Sequence, residues 1–434
     1  MAGIALRPFI DLLPYRLYHA LAGRGLRARR VRRQREEAVR APDGTTGDCR
    51  RLYIDLAVIS SDDGGTGIQR VVRALALALI EEASPSREVR FVAADRHSAY
   101  HVIAWPAGAA AVERETLRAR PGDVFLGLDF SLEAVRRHRR QLARFRRDGG
   151  SLWFLVCDLL PVQRPEWFAP NNVTRYKAWL EVIAGISEGF LCISRQTESE
   201  LQAELRERFD VSGGYRTRVV PMGHDIMESH APSFQVTEGA TTPDRFDMAA
   251  PFTLMVGTLE PRKGHADILA AFDELWRRGS KERLVLVGRM GWRVADLRAR
   301  ILDHPEYGGR LLWFDDVGDA ELERIYRACR GMIIASHAEG FGLPLIEALG
   351  HRKPVLARDL AIFRQHEALG VRYFPAAAAP AQLADCIGDW MDDVQAGEIV
   401  ITPPVADWKE SARVILSAVE PVTRTGEASP APLR

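Results

Sequence analysis

From Arg51 onward, short and nearly continuous apolar runs alternate with longer segments in which apolar residues recur at helical spacing. The continuous runs are typical of strands that are buried on both faces, and the spaced segments are typical of amphipathic helices. Strands and helices that alternate along a chain form parallel sheets with helices on both faces. The sequence therefore predicts an α/β protein built from doubly wound sheets.

The alternation stops once and then begins again, which divides the chain of 434 residues into two parts. The stretch 227–250 is rich in polar residues, proline and glycine, as linkers are. We expect Rossmann-like domains at 51–226 and 251–407, facing each other across a cleft, with a closing helix at 408–420. The tail 421–434, rich in proline, threonine and alanine, is expected to be disordered.

Individual elements are predicted from the same two patterns. The predicted strands, in chain order, are 52–59, 89–94, 123–128, 151–161, 189–194, 252–258, 283–288, 310–314, 331–336 and 354–357. The helical spacing is clearest at 68–83, 264–278, 319–330 and 344–350. Ligands bind such sheets beyond the carboxyl ends of the strands, so we expect a site in the loops that follow the strands.

Composition narrows the class of protein. A hydrophobic content of 47%, a charged content of 27% and a net charge of +1 describe a globular protein without a field that attracts nucleic acid. The five cysteines include no Cys-x-x-Cys pair, which favours a reducing compartment and argues against a structural zinc site. No apolar run is long enough to span a membrane, and Arg7, Asp11 and Arg16 interrupt any apolar core of a signal peptide in the first 25 residues. A cytoplasmic location is the expectation.

Residues 1–50 differ from the rest of the chain as a basic N-terminal extension. Aromatic and aliphatic residues at the start run into a dense arginine block, Arg24–Arg35. An interfacial helix that docks on anionic lipid headgroups has this composition, although Pro8 and Pro14 interrupt a continuous helix. Two alternatives remain: residues 1–40 contact the inner face of the plasma membrane peripherally, or the extension stays in solvent.

The glycine-rich loop DDGGTG (62–67) joins the first predicted strand to its helix. Gly65 and Gly67 would let the backbone approach a ligand closely, and the helix that follows offers free N–H groups to an anion. The loop is not a complete Gly-x-Gly-x-x-Gly fingerprint, because Arg70 takes the last position, and it is not a P-loop. A tight structural turn is an equally good explanation.

Arg262 and Lys263 lie side by side after the first strand of the second domain, where a helix begins. Cations at a helix start oppose the helix dipole, at a cost of roughly 0.3–1 kcal/mol each. An anion bound between them would remove this penalty and gain charge-assisted hydrogen bonds. The pair therefore indicates an anion site, with a solvated surface pair as the alternative.

Two glutamates, Glu339 and Glu347, bracket a Gly-Phe-Gly-Leu-Pro turn between a buried strand and a helix. The turn keeps Glu339 at the strand end and places Glu347 in the first helical turns, so that both can border one pocket. No Ser, Thr, Asp or Asn occurs at 340–343 to cap the helix, whose first N–H groups could bind a ligand instead. The alternative is that Glu347 only complements the helix dipole while Glu339 is solvated.

These loops together describe a cleft with N–H groups and cations for a diphosphate and carboxylates for sugar hydroxyls, which suits a nucleotide-sugar. The stretch EGFGLPLIEALG (339–350) resembles the signature of the retaining glycosyltransferases of family 4, which adopt the GT-B fold. Further segments between about residue 51 and residue 420 resemble landmarks of that family, in the family's order. They are VCDLLPVQRPEWF (156–168), CISRQTESEL (192–201), VVPMGHD (219–225), VGTLEPRKGHADILAAFDEL (256–275), VGDAELERIYRACRGMIIAS (317–336) and WKESARVILSAV (408–419).

The resemblance implies a role for each loop. Lys263, helped by Arg262, would hold the donor diphosphate, and Glu347 would bind the ribose hydroxyls. Glu339 would bind the transferred sugar and Asp158 would lie near the reacting centre, so these two residues are the catalytic candidates. The remaining donor-binding positions are Gly65, Gly67, Gly340, Phe341, Gly342 and Leu343.

Two departures from the family pattern affect these roles. Many relatives carry arginine where this chain has Thr258, and Arg262 is expected to compensate for it. Many also carry His-Asp where this chain has Cys157-Asp158, so only the aspartate keeps an implied role.

The implied activity is transfer of a hexose, with retention of configuration, from a nucleotide-diphosphate sugar to a glycan or lipid-linked glycan in cell-surface polysaccharide synthesis. The GTLEPRKG variant (257–264) resembles bacterial polysaccharide mannosyltransferases, which makes GDP-mannose the first candidate donor and a UDP-hexose the second. No Asp-x-Asp motif occurs in the chain, so we expect neither a catalytic metal nor a cofactor. A nucleotide-sugar epimerase of the same fold and a non-catalytic transferase-like scaffold remain as alternatives.

Overall fold

The computed structural model describes five ranges of the chain: 23–39, 50–61, 66–106, 108–224 and 246–420. Gly65, the predicted tail and most of the predicted linker lie outside these ranges. The described residues form two sheets, one in each half of the chain. They confirm the predicted α/β architecture with two doubly wound, Rossmann-like domains.

The first sheet contains seven strands within the described ranges, in the order β3-β2-β1-β4-β5-β6-β7. They are β1 Arg50–Asp55, β2 Arg87–Ala93, β3 His101–Ile103, β4 Val124–Gly127, β5 Ser151–Val156, β6 Gly189–Cys192 and β7 Arg216–Val219. Neighbouring strands are parallel except β3, which pairs antiparallel with β2. The order reverses between β1 and β4, and the connections that follow these two strands diverge and leave a crevice.

The second sheet contains six strands in the described part of the chain, in the order β10-β9-β8-β11-β12-β13. They are β8 Phe252–Val256, β9 Arg283–Val287, β10 Leu311–Phe314, β11 Gly331–Ile334, β12 Val355–Arg358 and β13 Arg372–Phe374. Every pair is parallel. The order reverses between β8 and β11, which makes the carboxyl ends of these two strands the expected ligand site.

Helices flank both sheets. Those of the first half are α1 Arg24–Val39, α2 Gly67–Glu82, α3 Leu132–Arg137, α4 Arg139–Arg147, α5 Leu160–Gln163, α6 Pro170–Ile186 and α7 Arg195–Phe209. Those of the second half are α8 His265–Arg277, α9 Ala295–Leu302, α10 Asp319–Ala328, α11 Leu343–Gly350, α12 Ala361–Arg364, α13 Pro380–Ala396 and α14 Trp408–Val419.

The apolar runs locate the central strands but miss β3, β7 and β13, which all lie at sheet edges. These strands are short, and β7 (Arg-Thr-Arg-Val) and β13 (Arg-Tyr-Phe) carry charged residues. An edge strand is covered on fewer sides than a central one, so it can carry charges without leaving them buried. These three edge strands therefore lack the continuous apolar signal, whereas β10 (Leu-Leu-Trp-Phe), the remaining edge strand of the two described sheets, keeps it and is predicted.

Strand β1 ends at Asp55, before the predicted end at Ile59. The Asp55 carboxylate accepts the N–H of Ala57 at 3.0 Å. The Asp129 carboxylate accepts those of Val58 and Ile59 at 2.6 and 2.9 Å. These side chains replace the ladder partners of the backbone, which turns away from the sheet toward the glycine-rich loop.

The last helix, α14, packs on the first sheet rather than on the second. Trp408 is 6% exposed, and a Cβ added to Gly223 would lie 2.6 Å from its ring. Ser411 Oγ donates a hydrogen bond to the Pro221 carbonyl oxygen at 2.6 Å. The chain therefore passes between the domains twice. Its last described helix, α14, contributes side chains to a hydrophobic core of the first domain.

The arginine block forms helix α1, which docks on the first domain. Val31 is fully buried, and Arg35 Nη1 donates to the Ala184 carbonyl oxygen at 2.7 Å. Arg30 lies 3.9 Å from Glu181 on the same helix, α6. Part of the block therefore serves a contact within the protein. None of the helices in the described ranges is long and apolar enough to cross a membrane.

Replacing Trp408 by alanine should destabilise the first domain, because the change leaves a cavity between α14 and Gly223. Loss of a buried aromatic side chain typically costs about 3–5 kcal/mol. We expect the midpoint of urea unfolding, followed by circular dichroism, to fall accordingly. Val405→Ala, at a position 95% exposed just before α14, is the matched control and should leave the midpoint unchanged. Equal midpoints for wild type and Trp408→Ala would contradict the packing of α14 on this core.

Candidate active site

The switch point of the second sheet carries two of the predicted loops. β8 and β11 are neighbours there, and the loops at their carboxyl ends hold the basic pair and Glu339. Lys263 Nζ contacts one oxygen of the Glu339 carboxylate, Oε1. Arg262 Nη1 lies 3.3 Å from the other oxygen, Oε2. The structure thus brings together the predicted phosphate-binding cations and the predicted sugar-binding carboxylate.

Glu339 is mostly shielded from solvent, with its side chain 11% exposed. Ser336 Oγ donates a hydrogen bond to Glu339 Oε1 at 2.6 Å. Burial alone would raise the pKa of Glu339, but Lys263 and Arg262 lower it to about 2. The carboxylate therefore stays ionised at neutral pH in spite of its burial.

The backbone holds the two cations in place. They lie in a 3-10 turn, Pro261–Lys263, just before α8. Gly264 follows with φ +74°, and a Cβ there would lie 2.2 Å from the Ala335 carbonyl oxygen. The N–H of His337 donates to the Arg262 carbonyl oxygen at 2.7 Å. The loops after β8 and β11 therefore pack backbone against backbone, which fixes the cations relative to the carboxylate.

The turn from Gly340 to Leu343 begins α11 without a side-chain cap, as the sequence predicts. Gly342 precedes the helix with φ +93°, and a Cβ on it would lie 2.6 Å from the Phe363 ring. Phe341 packs against the hydrophobic cores of both domains. The start of α11 thus has no side-chain acceptor of its own, which is typical of helix starts that bind anions.

Gly340 lies directly against the first domain. A Cβ on it would lie 2.1 Å from the Cys157 carbonyl oxygen and 3.0 Å from Asp158 Cβ. Thr197 Oγ1 donates to the Gly340 carbonyl oxygen at 3.4 Å. Only a residue without a side chain permits this approach. Asp158, two residues after β5, therefore lies beside Gly340, which follows Glu339 in the chain.

The two catalytic candidates experience different electrostatic surroundings. Burial raises the pKa of Asp158, and Arg262 only partly opposes the rise. The pKa of Glu339 is lowered instead, because its two cations outweigh burial. Carboxyl groups whose pKa values are pushed apart at one centre are typical of functional sites.

Glu347 points toward the first domain from α11. Arg70 Nη2, on α2, lies 2.6 Å from Glu347 Oε1. Tyr326 Oη, on α10, donates to Glu347 Oε2 at 2.8 Å. The predicted ribose-binding carboxylate therefore lies in an interdomain contact and is 7% exposed.

Gly67 begins α2, and a capping box fixes this helix start. Gln69 N–H donates to Thr66 Oγ1 at 3.4 Å, and Thr66 N–H donates to Gln69 Oε1 at 3.0 Å. Leu343 Cδ1 lies 3.9 Å from the position of a Cβ on Gly67. The end of the predicted glycine-rich loop therefore contacts the start of α11, while Gly65 lies outside the described residues.

The domains also meet away from this centre. Arg73 Nη1 on α2 lies 3.3 Å from Asp319 Oδ2 on α10. Trp292 Nε1, in the loop after β9, donates to the Trp167 carbonyl oxygen at 2.6 Å. These contacts hold the carboxyl ends of the two sheets toward each other in the structure.

The residues that contact Glu347 are difficult to predict from the sequence. Arg70 stands out only as the residue that breaks the glycine fingerprint, although a cation one turn into a helix beside a cleft is itself a signal. Tyr326 carries no local signal, because its contact depends on how α10 packs beside α11. Ser336, three residues before Glu339, is likewise visible only once the turn is folded.

Comparison with known proteins places this geometry in a family context. Residues 243–412 match the family described as Glycosyl transferases group 1. The chain is 31% identical over 377 residues to the Serotype-specific mannosyltransferase WbdA of Escherichia coli, in an alignment that covers 85% of this chain and 46% of that protein. It is also 31% identical over 110 residues to the O-antigen chain mannosyltransferase B of Escherichia coli, covering 25% of this chain and 29% of that protein. The chain thus spans about half the length of the WbdA relative.

Solved structures with a similar backbone are glycosyltransferase-fold proteins. Sucrose-phosphate synthase from Thermosynechococcus elongatus superposes with a TM-score of 0.54 at 15% identity, covering 86% of this chain and 95% of that chain. Anabaena HepE in complex with UDP and glucose superposes with a TM-score of 0.51 at 15% identity, covering 85% and 94%. At this low identity the comparison shows the shared fold, which is GT-B.

The family match covers the strands β8 to β13 and contains the basic pair and both glutamates. The basic pair and Glu339 meet at the switch point of the second sheet, and Glu347 follows on α11. Open parallel sheets bind their ligands at such a point. Residues 243–412 are therefore a glycosyl transferases group 1 domain, carried by a chain with the GT-B fold.

Proposed function

We propose that this chain is a retaining glycosyltransferase that moves mannose from a nucleotide-diphosphate sugar to a glycan or lipid-linked glycan in cell-surface polysaccharide synthesis. GDP-mannose is the proposed donor, and a UDP-hexose is the second choice. The observation that carries the proposal is the buried contact of Glu339 with Lys263 and Arg262 at the switch point of the group 1 domain. The names of the two Escherichia coli relatives support mannose as the sugar.

Charge balance supports a diphosphate site at the two cations. In the structure Lys263 and Arg262 both contact one carboxylate, that of Glu339. A diphosphate carries more negative charge than a carboxylate, so it would draw both cations toward its oxygens and would also accept hydrogen bonds from the start of α11. Glu339 would then be free to accept hydrogen bonds from hydroxyl groups of the sugar.

The two remaining carboxyl groups suit the other parts of the donor. Glu347 lies on α11 beyond the turn, where its oxygens can accept hydrogen bonds from the ribose hydroxyls. Asp158 approaches the same turn from the first domain, beside Gly340. The sugar would therefore lie between Glu339 and Asp158, with the acceptor entering along the first domain.

The proposed transfer breaks the bond between the anomeric carbon and the phosphate oxygen. The acceptor oxygen bonds to the anomeric carbon on the face that the phosphate leaves, and its proton passes to the departing phosphate oxygen. Lys263, Arg262 and the N–H groups of α11 would stabilise the charge that builds on the leaving diphosphate, so the proposal needs no metal ion. Trapping a glycosyl adduct on Glu339 would instead establish a covalent route.

Substituting Lys263 by alanine should remove the principal cation that contacts the diphosphate. Loss of one preorganised donor typically costs about 3–4 kcal/mol of transition-state stabilisation, which corresponds to a rate loss of roughly 10²–10³-fold. We expect this loss in the transfer of radiolabelled mannose from GDP-mannose to a glycan acceptor, while the circular dichroism spectrum is unchanged.

The matched control for this substitution is Lys281→Ala. Lys281 lies on an exposed loop between α8 and β9 of the same domain, so the control changes the net charge equally. Its transfer rate should equal that of wild type. Near-wild-type transfer by Lys263→Ala, or an equal loss in both variants, would refute the assigned role.

A thermal-shift panel identifies the donor. Binding to the folded state raises the apparent melting temperature, so GDP-mannose should give the largest shift among GDP-, UDP-, ADP- and dTDP-sugars. Release or epimerisation of the sugar without any acceptor would favour an epimerase over a transferase. The absence of a shift with every nucleotide-sugar would favour a non-catalytic scaffold.

We also propose that the protein acts in the cytoplasm, at the inner face of the plasma membrane. Docking of α1 leaves Arg29, Arg32 and Arg33 on its exposed side, where they can approach anionic headgroups. Removing residues 1–22 and replacing Arg29, Arg32 and Arg33 by glutamine should abolish sedimentation with vesicles that contain phosphatidylglycerol. Vesicles of phosphatidylcholine alone are the control and should bind neither protein. Unchanged sedimentation of the shortened protein with anionic vesicles would end this proposal.

A further inference from the structure

Arg70 connects the two domains at the predicted nucleotide site. It lies one turn into α2 of the first domain, and its Nη2 contacts Glu347 Oε1 of the second domain at 2.6 Å. The Arg70 side chain is 14% exposed and the Glu347 side chain is 9% exposed. The contact is therefore a largely buried ion pair rather than a surface pair, and neither member can be removed without leaving an uncompensated charge.

The Arg70 guanidinium retains a hydrogen-bond donor that this ion pair does not use. Nη1 is buried and has no hydrogen-bond partner among the residues that the structure describes. A buried donor on a charged group is costly when it lacks an acceptor, so such groups commonly mark a missing ligand or water. Arginine presents its donors in a rigid fork, and one guanidinium can therefore bind two acceptors at once.

We propose that Arg70 is a donor-binding residue supplied by the first domain, whose Nη1 donates to the α-phosphate of the nucleotide while Nη2 keeps Glu347 oriented toward the ribose. This inference rests on the proposed nucleotide-sugar site. The ribose and the α-phosphate are joined through a single ester linkage, so a group that contacts the ribose-binding carboxylate is within reach of that phosphate.

The surroundings of Arg70 favour an anionic ligand. The capping box of Thr66 and Gln69 fixes the start of α2, so the position of Arg70 does not depend on a flexible helix end. Lys263 and Arg262 already contact Glu339 on the other side of the turn. A nucleotide diphosphate would thus be held by cations from both domains, and its binding would require that the two domains be close together.

The competing explanation is an interdomain lock, in which the ion pair of Arg70 with Glu347 only holds the two domains together. This explanation predicts the opposite result. If Arg70 only occupied Glu347, it would compete with the ribose hydroxyls for that carboxylate. Removal of the arginine would then strengthen nucleotide binding. If Arg70 binds the phosphate, its removal weakens binding of the nucleotide and leaves binding of the corresponding nucleoside much less affected.

Isothermal titration calorimetry with GDP and UDP, and with guanosine and uridine, tests the proposal. We expect Arg70→Gln to weaken binding of the preferred nucleotide diphosphate by roughly 10- to 100-fold, as expected for one charge-assisted hydrogen bond. Arg70→Lys keeps the charge but not the fork, and should show an intermediate loss. The matched control is Arg73→Gln, which breaks the other interdomain ion pair on α2, with Asp319, and should bind like wild type.

Each outcome decides between these explanations. Tighter binding by Arg70→Gln would overturn the phosphate contact in favour of an interdomain lock. An equal loss in Arg73→Gln would overturn it as well, because the loss would then follow from weakened contact between the domains. Unchanged binding by a folded Arg70→Gln, alongside lost binding by Lys263→Ala, would overturn this inference and leave the proposed function standing. Failure of wild type to bind either nucleotide diphosphate would overturn both. If Arg70→Gln does not fold, Arg70→Lys decides: wild-type affinity for the nucleotide contradicts the proposal.

Discussion

An ionised carboxylate inside a protein is stable only where cations and hydrogen-bond donors surround it, and Glu339 satisfies this condition. Lys263, Arg262 and Ser336 contact its two oxygens, and they come from two loops that meet because β8 and β11 are adjacent. The arrangement of the second domain's site depends on this cluster. Its polar groups are already gathered and largely shielded from water, as the proposed stabilisation of a leaving diphosphate requires.

The first domain completes the cluster by close backbone approach. Gly340 has no side chain to separate the domains, so the loop that ends β5 lies directly against the turn that follows β11. Arg70 and Glu347 add a largely buried ion pair across the same interface. Charged and polar groups from both sheets therefore converge on one small region, although the sequence separates them by more than a hundred residues.

Much of this arrangement can be predicted from sequence, because it follows local rules. The central strands are continuous apolar runs, and Lys263 and Glu339 follow two of them, so the parallel topology alone brings them to one edge. The contact of Arg70 with Glu347 cannot be predicted in this way, since it depends on the relative placement of two domains. The docking of α1 is similar: its arginines suggest lipid, whereas the buried Val31 and the contacts of Arg35 become apparent only in three dimensions. The edge strands β3, β7 and β13 are not predicted because they are short, and because β7 and β13 carry charged residues.

The position of α14 has a consequence for how the molecule reaches its native state. Trp408 and its neighbours fill part of the first core, yet they come after the whole second domain in the chain. During synthesis the first domain must therefore emerge with an open apolar face, which stays uncovered until the second domain has been made. The second domain contains its six strands within one continuous segment and can fold without waiting for distant residues. The order of synthesis and the order of completion are thus reversed: the domain made first is finished last.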